Sequence, residues 1–110
     1  MDLGLKDKVA LITGGSRGIG KACALVLAQE GCQIAICARG KKALDEAATE
    51  IGALGSQVLA READLTKSED VKDLVTKTAA RFGHIDILVN NAGTGRLSDL
   101  LTFPDDEYQR

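Results

Sequence analysis

Apolar residues follow two alternating rhythms along the chain. Four short runs have the length and apolar, often β-branched, content of strands: Lys8 to Thr13, Gln33 to Ala38, Val58 to Ala63 and Ile85 to Val89. The first shows no polar alternation through Val9-Ala10-Leu11-Ile12, as expected of a strand buried on both faces. Between the runs, apolar residues recur at helical spacing. Ile19, Ala22, Cys23, Val26 and Leu27 mark the inward face of a first helix, which Gly31 stops. Leu44, Ala47, Ala48 and Ile51 mark a second, closed by Gly52 and Gly55. Val71, Leu74, Val75, Thr78, Ala79 and Phe82 mark a third, ended by Gly83. Thr66-Lys67-Ser68-Glu69 reads as its capping box, with Thr66 as N-cap and Glu69 reaching back. Thr102-x-x-Asp105, with Pro104 in the first turn, opens a further helix.

The order is βαβαβαβ followed by a helix start. Right-handed crossovers of this length place consecutive strands in one parallel sheet with helices on both faces. The expected fold is α/β, the first half of a doubly wound Rossmann sheet in strand order 3-2-1-4. Residues 1–110 are expected to form a single unit, since no linker, repeat or low-complexity segment interrupts them. A sheet that stops at the fourth strand leaves Ile85 to Val89 as an apolar edge. Such an edge predicts a marginally folded chain, or self-association into a homo-oligomer.

Composition removes several functions. The net charge of −2 offers no electrostatic footprint for nucleic acid or for an anionic membrane. Neither a signal peptide nor a membrane-spanning run is visible, so the expected setting is the cytoplasm. Cys23, Cys32 and Cys37 form no C-x-x-C pair and read as reduced packing residues rather than nucleophiles. His84, the single histidine, reads as a surface turn residue with no metal or nucleophile partner nearby in sequence.

The chemistry concentrates at the ends of the strands. Thr13-Gly14-Gly15-Ser16-Arg17-Gly18-Ile19-Gly20 joins the first strand to the first helix. A glycine turn feeding a helix start makes a phosphate cradle, with free backbone N–H groups and the positive end of the helix dipole. The spacing is Gly-x-x-x-Gly-x-Gly rather than Gly-x-Gly-x-x-Gly. Ala38-Arg39, Asp64-Leu65 and Asn90-Asn91-Ala92-Gly93 end the other strands, and a dinucleotide laid across the sheet would meet all four stretches in turn. An acidic residue after the second strand would bind a ribose 2′-hydroxyl. Arg39 stands there instead and suits a 2′-phosphate, with Arg17 approaching from the other side. That favours NADP over NAD. Asp64 can accept from an adenine amino group or serve only as a turn residue. Asn90 can tie strand ends together or reach a ribose, and Asn91 is favoured as a cofactor contact.

These residues, in this order and spacing over nearly the whole chain, resemble the classical short-chain dehydrogenase/reductase family. The pairing of Arg17 with Arg39 is similar to its NADP-preferring members, the 3-oxoacyl-acyl-carrier-protein reductases among them. The resemblance implies that Gly14, Ser16, Arg17, Gly18, Ile19 and Gly20 cradle pyrophosphate and ribose, and that Arg39 binds the 2′-phosphate. By the same resemblance Asp64 and Leu65 hold adenine, while Asn91, Ala92 and Gly93 line the adenosine ribose. Members move hydride between the nicotinamide of NADP(H) and a small carbonyl or alcohol substrate. Their proton relay uses a serine and a Tyr-x-x-x-Lys pair, and this sequence departs from that pattern. Tyr108 is its only tyrosine, and only two residues follow it. No catalytic residue is therefore assigned, and these 110 residues are expected to be a truncated portion, inactive alone.

Overall fold

The computed structural model describes residues 4–16 and 18–91. Its elements run β1 (Val9–Thr13), α1 (Gly18–Gln29), β2 (Gln33–Ala38), α2 (Lys41–Gly52), β3 (Val58–Glu62), α3 (Ser68–Phe82) and β4 (Ile87–Asn90). The strands form one parallel sheet in the order β3-β2-β1-β4. This is the anticipated α/β arrangement. The helix anticipated near Pro104 lies outside the described residues.

Alternation along the strands divides the core into two layers. Ala10, Ile12, Ile34 and Ile36 face α1 and α2, where they meet Ala24, Ala28, Leu44, Ala47 and Ile51. Leu11, Ala35 and Cys37 face the other way, onto Val71 and Leu74 of α3. Val9 to Ile12 are all 0% exposed, which explains the absence of polar alternation in β1. Thr78 is also fully buried, and its hydroxyl donates to the Leu74 carbonyl at 2.7 Å.

Sequence expectations need correction at the α1 face, at the α3 start and at the ends of three strands. The inward face of α1 is Gly20, Ala24 and Ala28, whereas Ile19 is 72% and Val26 57% exposed and Ala22 also faces out. The helix is apolar almost all round, so periodicity alone did not single out a face. Small residues at positions four apart bring its backbone close to the sheet. The capping box is absent. α3 starts one residue later than expected, with Lys67 as N-cap and no side-chain cap. Thr66 donates instead to Asp64, near the start of the loop that leads from β3 into α3.

The strand ends also shift. β1 begins at Val9 and β3 ends at Glu62. β4 begins at Ile87 rather than Ile85, because Ile85 packs into the α3 layer and the Asp86 carboxylate takes the Val9 N–H at 2.8 Å. The regular ladder therefore opens with Ala10 opposite Ile87. Gly83 caps α3 in the left-handed conformation, at φ 90°.

Candidate functional site: a crevice at the strand ends

In a parallel sheet every strand delivers its following loop to the same edge. Here the loops after β1, β2 and β3, with Asn91 beyond β4, line two adjoining cavities that share Gly14, Ala38 and Arg39. The larger, of about 480 Å³, is walled by Ser16, Gly18 and Ile19 from the α1 start, by Gly40 and Ala43 from the α2 start, and by Asn91. The smaller, of about 250 Å³, is walled by Cys37, Ala63, Asp64, Leu65 and Thr66.

The glycine loop is shaped by close approach. Gly14 sits at φ 68°, and its N–H donates to the Cys37 carbonyl at 3.0 Å. A Cβ on Gly20 would lie 2.3 Å from the Gly14 carbonyl oxygen and 2.9 Å from Asn91 Nδ2. No side chain fits there, so the α1 start presses directly against the loop. The first turn of α1 carries no acidic residue, which leaves its N-terminus positive. A loop this bare, ending on an uncompensated helix start, fits a pyrophosphate.

The strand ends are tied to one another beneath this loop. Thr13 Oγ1 donates to Asn90 Oδ1 at 3.1 Å, a tie between neighbouring strand ends of the kind anticipated for Asn90. Asn91 Nδ2 donates to the Gly14 carbonyl at 3.4 Å and also lines the larger cavity. It therefore holds the loop while facing the space beside it.

Arg39 is exposed at the junction of the two cavities. Gly40, the N-cap of α2, offers no side chain to that helix's free N–H groups, and the first turn has no acid. Arg39 and an uncapped helix start together suit an anionic group.

The smaller cavity is different. Its floor is apolar, formed by Cys37, Ala38, Ala63 and Leu65, with the Asp64 carboxylate at the rim. Asp64 Oδ1 accepts from Thr66 N–H at 3.0 Å and from Thr66 Oγ1 at 2.6 Å. Asp70, in the first turn of α3, accepts from the Asp64 N–H at 2.8 Å. The two Thr66 bonds hold the Asp64 carboxyl below its ordinary range, with a smaller contribution from Arg39 and Lys67. Burial pushes the Cys37 thiol up to about 11, so it stays protonated and serves as floor rather than nucleophile.

Of the residues singled out in the sequence, the structure gathers Gly14, Ser16, Gly18, Ile19, Arg39, Asp64, Leu65 and Asn91 around this crevice, with Gly20 packed beneath the loop. Arg17, Ala92, Gly93 and Tyr108 lie outside the described residues. His84 is exposed at the opposite edge of the sheet, where its Nε2 lies 2.8 Å from Asp86 Oδ2. Thr66, Asp70 and Cys37 were not anticipated here. An Asp-x-Thr triplet between a strand and an acidic helix start was the available signal for the first two.

Comparison with known proteins agrees with this geometry. Residues 8–110 match the profile of the short chain dehydrogenase family. The chain belongs to that family. It is 40% identical over 103 residues to the 3-oxoacyl-acyl-carrier-protein reductase of Staphylococcus epidermidis, covering 93% of this chain and 42% of the relative. It is 45% identical, with a TM-score of 0.81, to an L-sorbose reductase from Gluconobacter frateurii solved with NADPH and L-sorbose. That match covers 86% of this chain and 36% of the reductase. An NAD+-bound xylitol dehydrogenase is 36% identical with a TM-score of 0.75, over 76% of this chain and 32% of that one. The chain thus spans well under half the length of these short-chain dehydrogenases. Family members use nicotinamide cofactors of both kinds. Among the described residues, no helix is long and apolar enough to cross a membrane.

Proposed function

We propose that residues 1–110 form one NADP(H)-binding unit of a short-chain oxidoreductase. The observation that carries the reading is the charge and shape of the crevice. It combines a bare glycine loop at a positive helix start, an arginine at the end of β2, and an apolar slot with a carboxylate at its rim. Gly14, Ser16, Gly18, Ile19 and Gly20, together with Arg17, would cradle the pyrophosphate and its ribose. Arg39 would take the 2′-phosphate, Asp64 and Leu65 the adenine, and Asn91, with Ala92 and Gly93, the adenosine ribose. The cofactor supplies hydride chemistry between its nicotinamide and a carbonyl or alcohol carbon. These residues do the holding and orienting, and Arg39 makes the choice of NADP over NAD.

Reduction of a carbonyl also requires a proton donor. No serine paired with a Tyr-x-x-x-Lys stands within residues 1–110. We therefore assign the proton relay and substrate selection to polypeptide beyond this portion, and expect these residues alone to bind cofactor without turning it over. The apolar β4, which among the described residues pairs only with β1, supports further association, with more of the fold or with a second copy. The setting we propose is cytoplasmic. A second reading, an NADP-holding module without catalysis, rests on the same missing relay.

Titration of the chain with NADPH, followed by nicotinamide fluorescence, tests the first claim. Saturable binding at one site per chain is expected, and no binding at millimolar cofactor would overturn it. The intact mass of the native gene product separates the two readings. A mass matching 110 residues selects the module, and a mass more than twice that selects the oxidoreductase.

A further inference from the structure

A third cavity lies between the α2 start and β3. It is a polar groove of about 330 Å³, lined by Lys41, Leu44 and Asp45 of α2 and by Ala60, Arg61 and Glu62 of β3. Its charges do not balance. Lys41 Nζ donates to Asp45 Oδ2 at 3.1 Å, and Arg61 Nη2 donates to Asp73 Oδ2 of α3 at 2.6 Å. Among the described residues Glu62 has no ion-pair partner. Alternation along β3 fixes where its side chain points. Val58 and Ala60 pack in the layer of α1 and α2, whereas Leu59 packs in the α3 layer and Arg61 reaches α3. Glu62, two positions beyond Ala60, therefore faces the α2 side. It is exposed, and it is the register partner of Ala38, the residue before Arg39. One strand spacing, about 4.8 Å, separates the two backbones there.

We propose that Glu62 is a specificity-determining residue that opposes the cofactor's 2′-phosphate. It holds the preference for NADP below what Arg39 and the acid-free α2 start would give alone. The proposal rests on the reading that Arg39 takes that phosphate. It goes beyond that reading by naming a residue on another strand whose effect has the opposite sign. The neighbouring charges cancel in pairs, Lys41 with Asp45 and Arg61 with Asp73, so the Glu62 carboxylate is left as the uncompensated charge of the groove. A phosphate beside Arg39 would stand on the order of 10 Å from it, one strand spacing plus two side chains away. Near solvent, repulsion over that distance shifts a binding constant about threefold. The 2′-hydroxyl of NAD carries no charge, and the pyrophosphate is common to both cofactors. The repulsion therefore shows in the ratio of the two affinities.

The experiment is calorimetric titration of the chain with NADPH and with NADH, at low salt and again at about 1 M salt, where screening acts within about 3 Å. Glu62→Gln should bind NADPH about threefold more tightly than wild type at low salt and NADH equally well. Glu62→Lys should gain more. At high salt both gains should fade. A merely structural role for Glu62 would weaken both cofactors rather than strengthen one. Glu30→Gln removes the same charge beyond the C-terminal end of α1, at the opposite edge of the sheet, and should leave the ratio unchanged. Glu62 ends β3 and is exposed, so its replacement leaves the core intact.

An unchanged ratio in Glu62→Gln would overturn the proposal. So would an equal gain in Glu30→Gln, or a gain that survives high salt. Arg39→Gln, titrated in the same way, separates this failure from that of the cofactor reading. If Arg39→Gln lowers the NADPH preference while Glu62→Gln leaves it alone, only the role of Glu62 falls. If neither variant moves the ratio, or if no cofactor binds, the 2′-phosphate is not held at the α2 start and both fall.

Discussion

Helices α1 and α3 begin at the same edge of one sheet, yet their starts are built in opposite ways. The first turn of α1 has no acidic residue, and its approach is a glycine loop with no room for a side chain at Gly20. The first turn of α3 carries Glu69 and Asp70, and Asp70 reaches back to the Asp64 N–H. One helix start is left positive and open, and the other is neutralised by its own chain. The start of α2 resembles that of α1, with no acid and a glycine N-cap, and Arg39 stands immediately before it. Secondary structure alone would make the three starts equivalent. Their side chains turn the edge into a charge map, positive at α1 and α2 and negative at α3. Such a map fits a ligand with two anionic groups and one neutral, amine-bearing ring.

The comparison can be broken at either end. The largest effect is expected at Gly20. Gly20→Val puts a Cβ 2.3 Å from the Gly14 carbonyl, so the loop must move. We expect cofactor binding to vanish in a fluorescence titration, and stability to fall by about 1–3 kcal/mol in urea unfolding. A smaller effect should follow from giving α1 the character of α3. Ile19→Glu places a carboxylate in the first turn of α1 at a site that is 72% exposed. NADPH and NADH should weaken by the same factor, while stability changes by less than about 1 kcal/mol. Unequal weakening would show that the α1 start does not hold the group the two cofactors share. The smallest effect is expected at α3, where Asp70→Ala leaves the Asp64 N–H without its acceptor. Urea unfolding should show a loss of about 1 kcal/mol. A rise in stability would mean that Asp70 opposes Glu69 more than it serves the loop.

What the sequence disclosed divides along the same line. The sheet order and all seven elements were legible, because runs such as Gln33 to Ala38 and the glycine stops at Gly31 and Gly83 are local signals. So was the placement of Arg39 and Asp64 at the crevice, since Arg39 directly follows β2 and Asp64 stands two positions after β3. The inward face of α1 was not legible. Ile19 and Val26 were expected on that face for their apolarity and are exposed, Leu27 is only partly buried, and close packing on the sheet selects Gly20, Ala24 and Ala28 instead. The role of Gly15 was equally hidden. It is set by Ile36 of β2, whose Cγ2 lies 2.6 Å from where a Cβ would stand, and no local pattern reports such a contact. The α3 start misled because Thr66 and Glu69 have capping-box spacing. The real partners are Asp64 and Asp70, each displaced by one or two positions toward the cavity. Packing and local hydrogen bonding, rather than propensity, decide such details.

The central claim is that the crevice is charged for a cofactor carrying a phosphate beside Arg39. The most direct measurement is the ratio of NADH to NADPH dissociation constants for wild type and Arg39→Asp, by calorimetry in one buffer at fixed salt. Wild type should bind NADPH roughly 10- to 100-fold more tightly than NADH, the weight of hydrogen bonds to a charged group. Arg39→Asp should lose that margin while keeping its affinity for NADH. Equal affinities in wild type, or equal losses for both cofactors in the variant, would contradict the account.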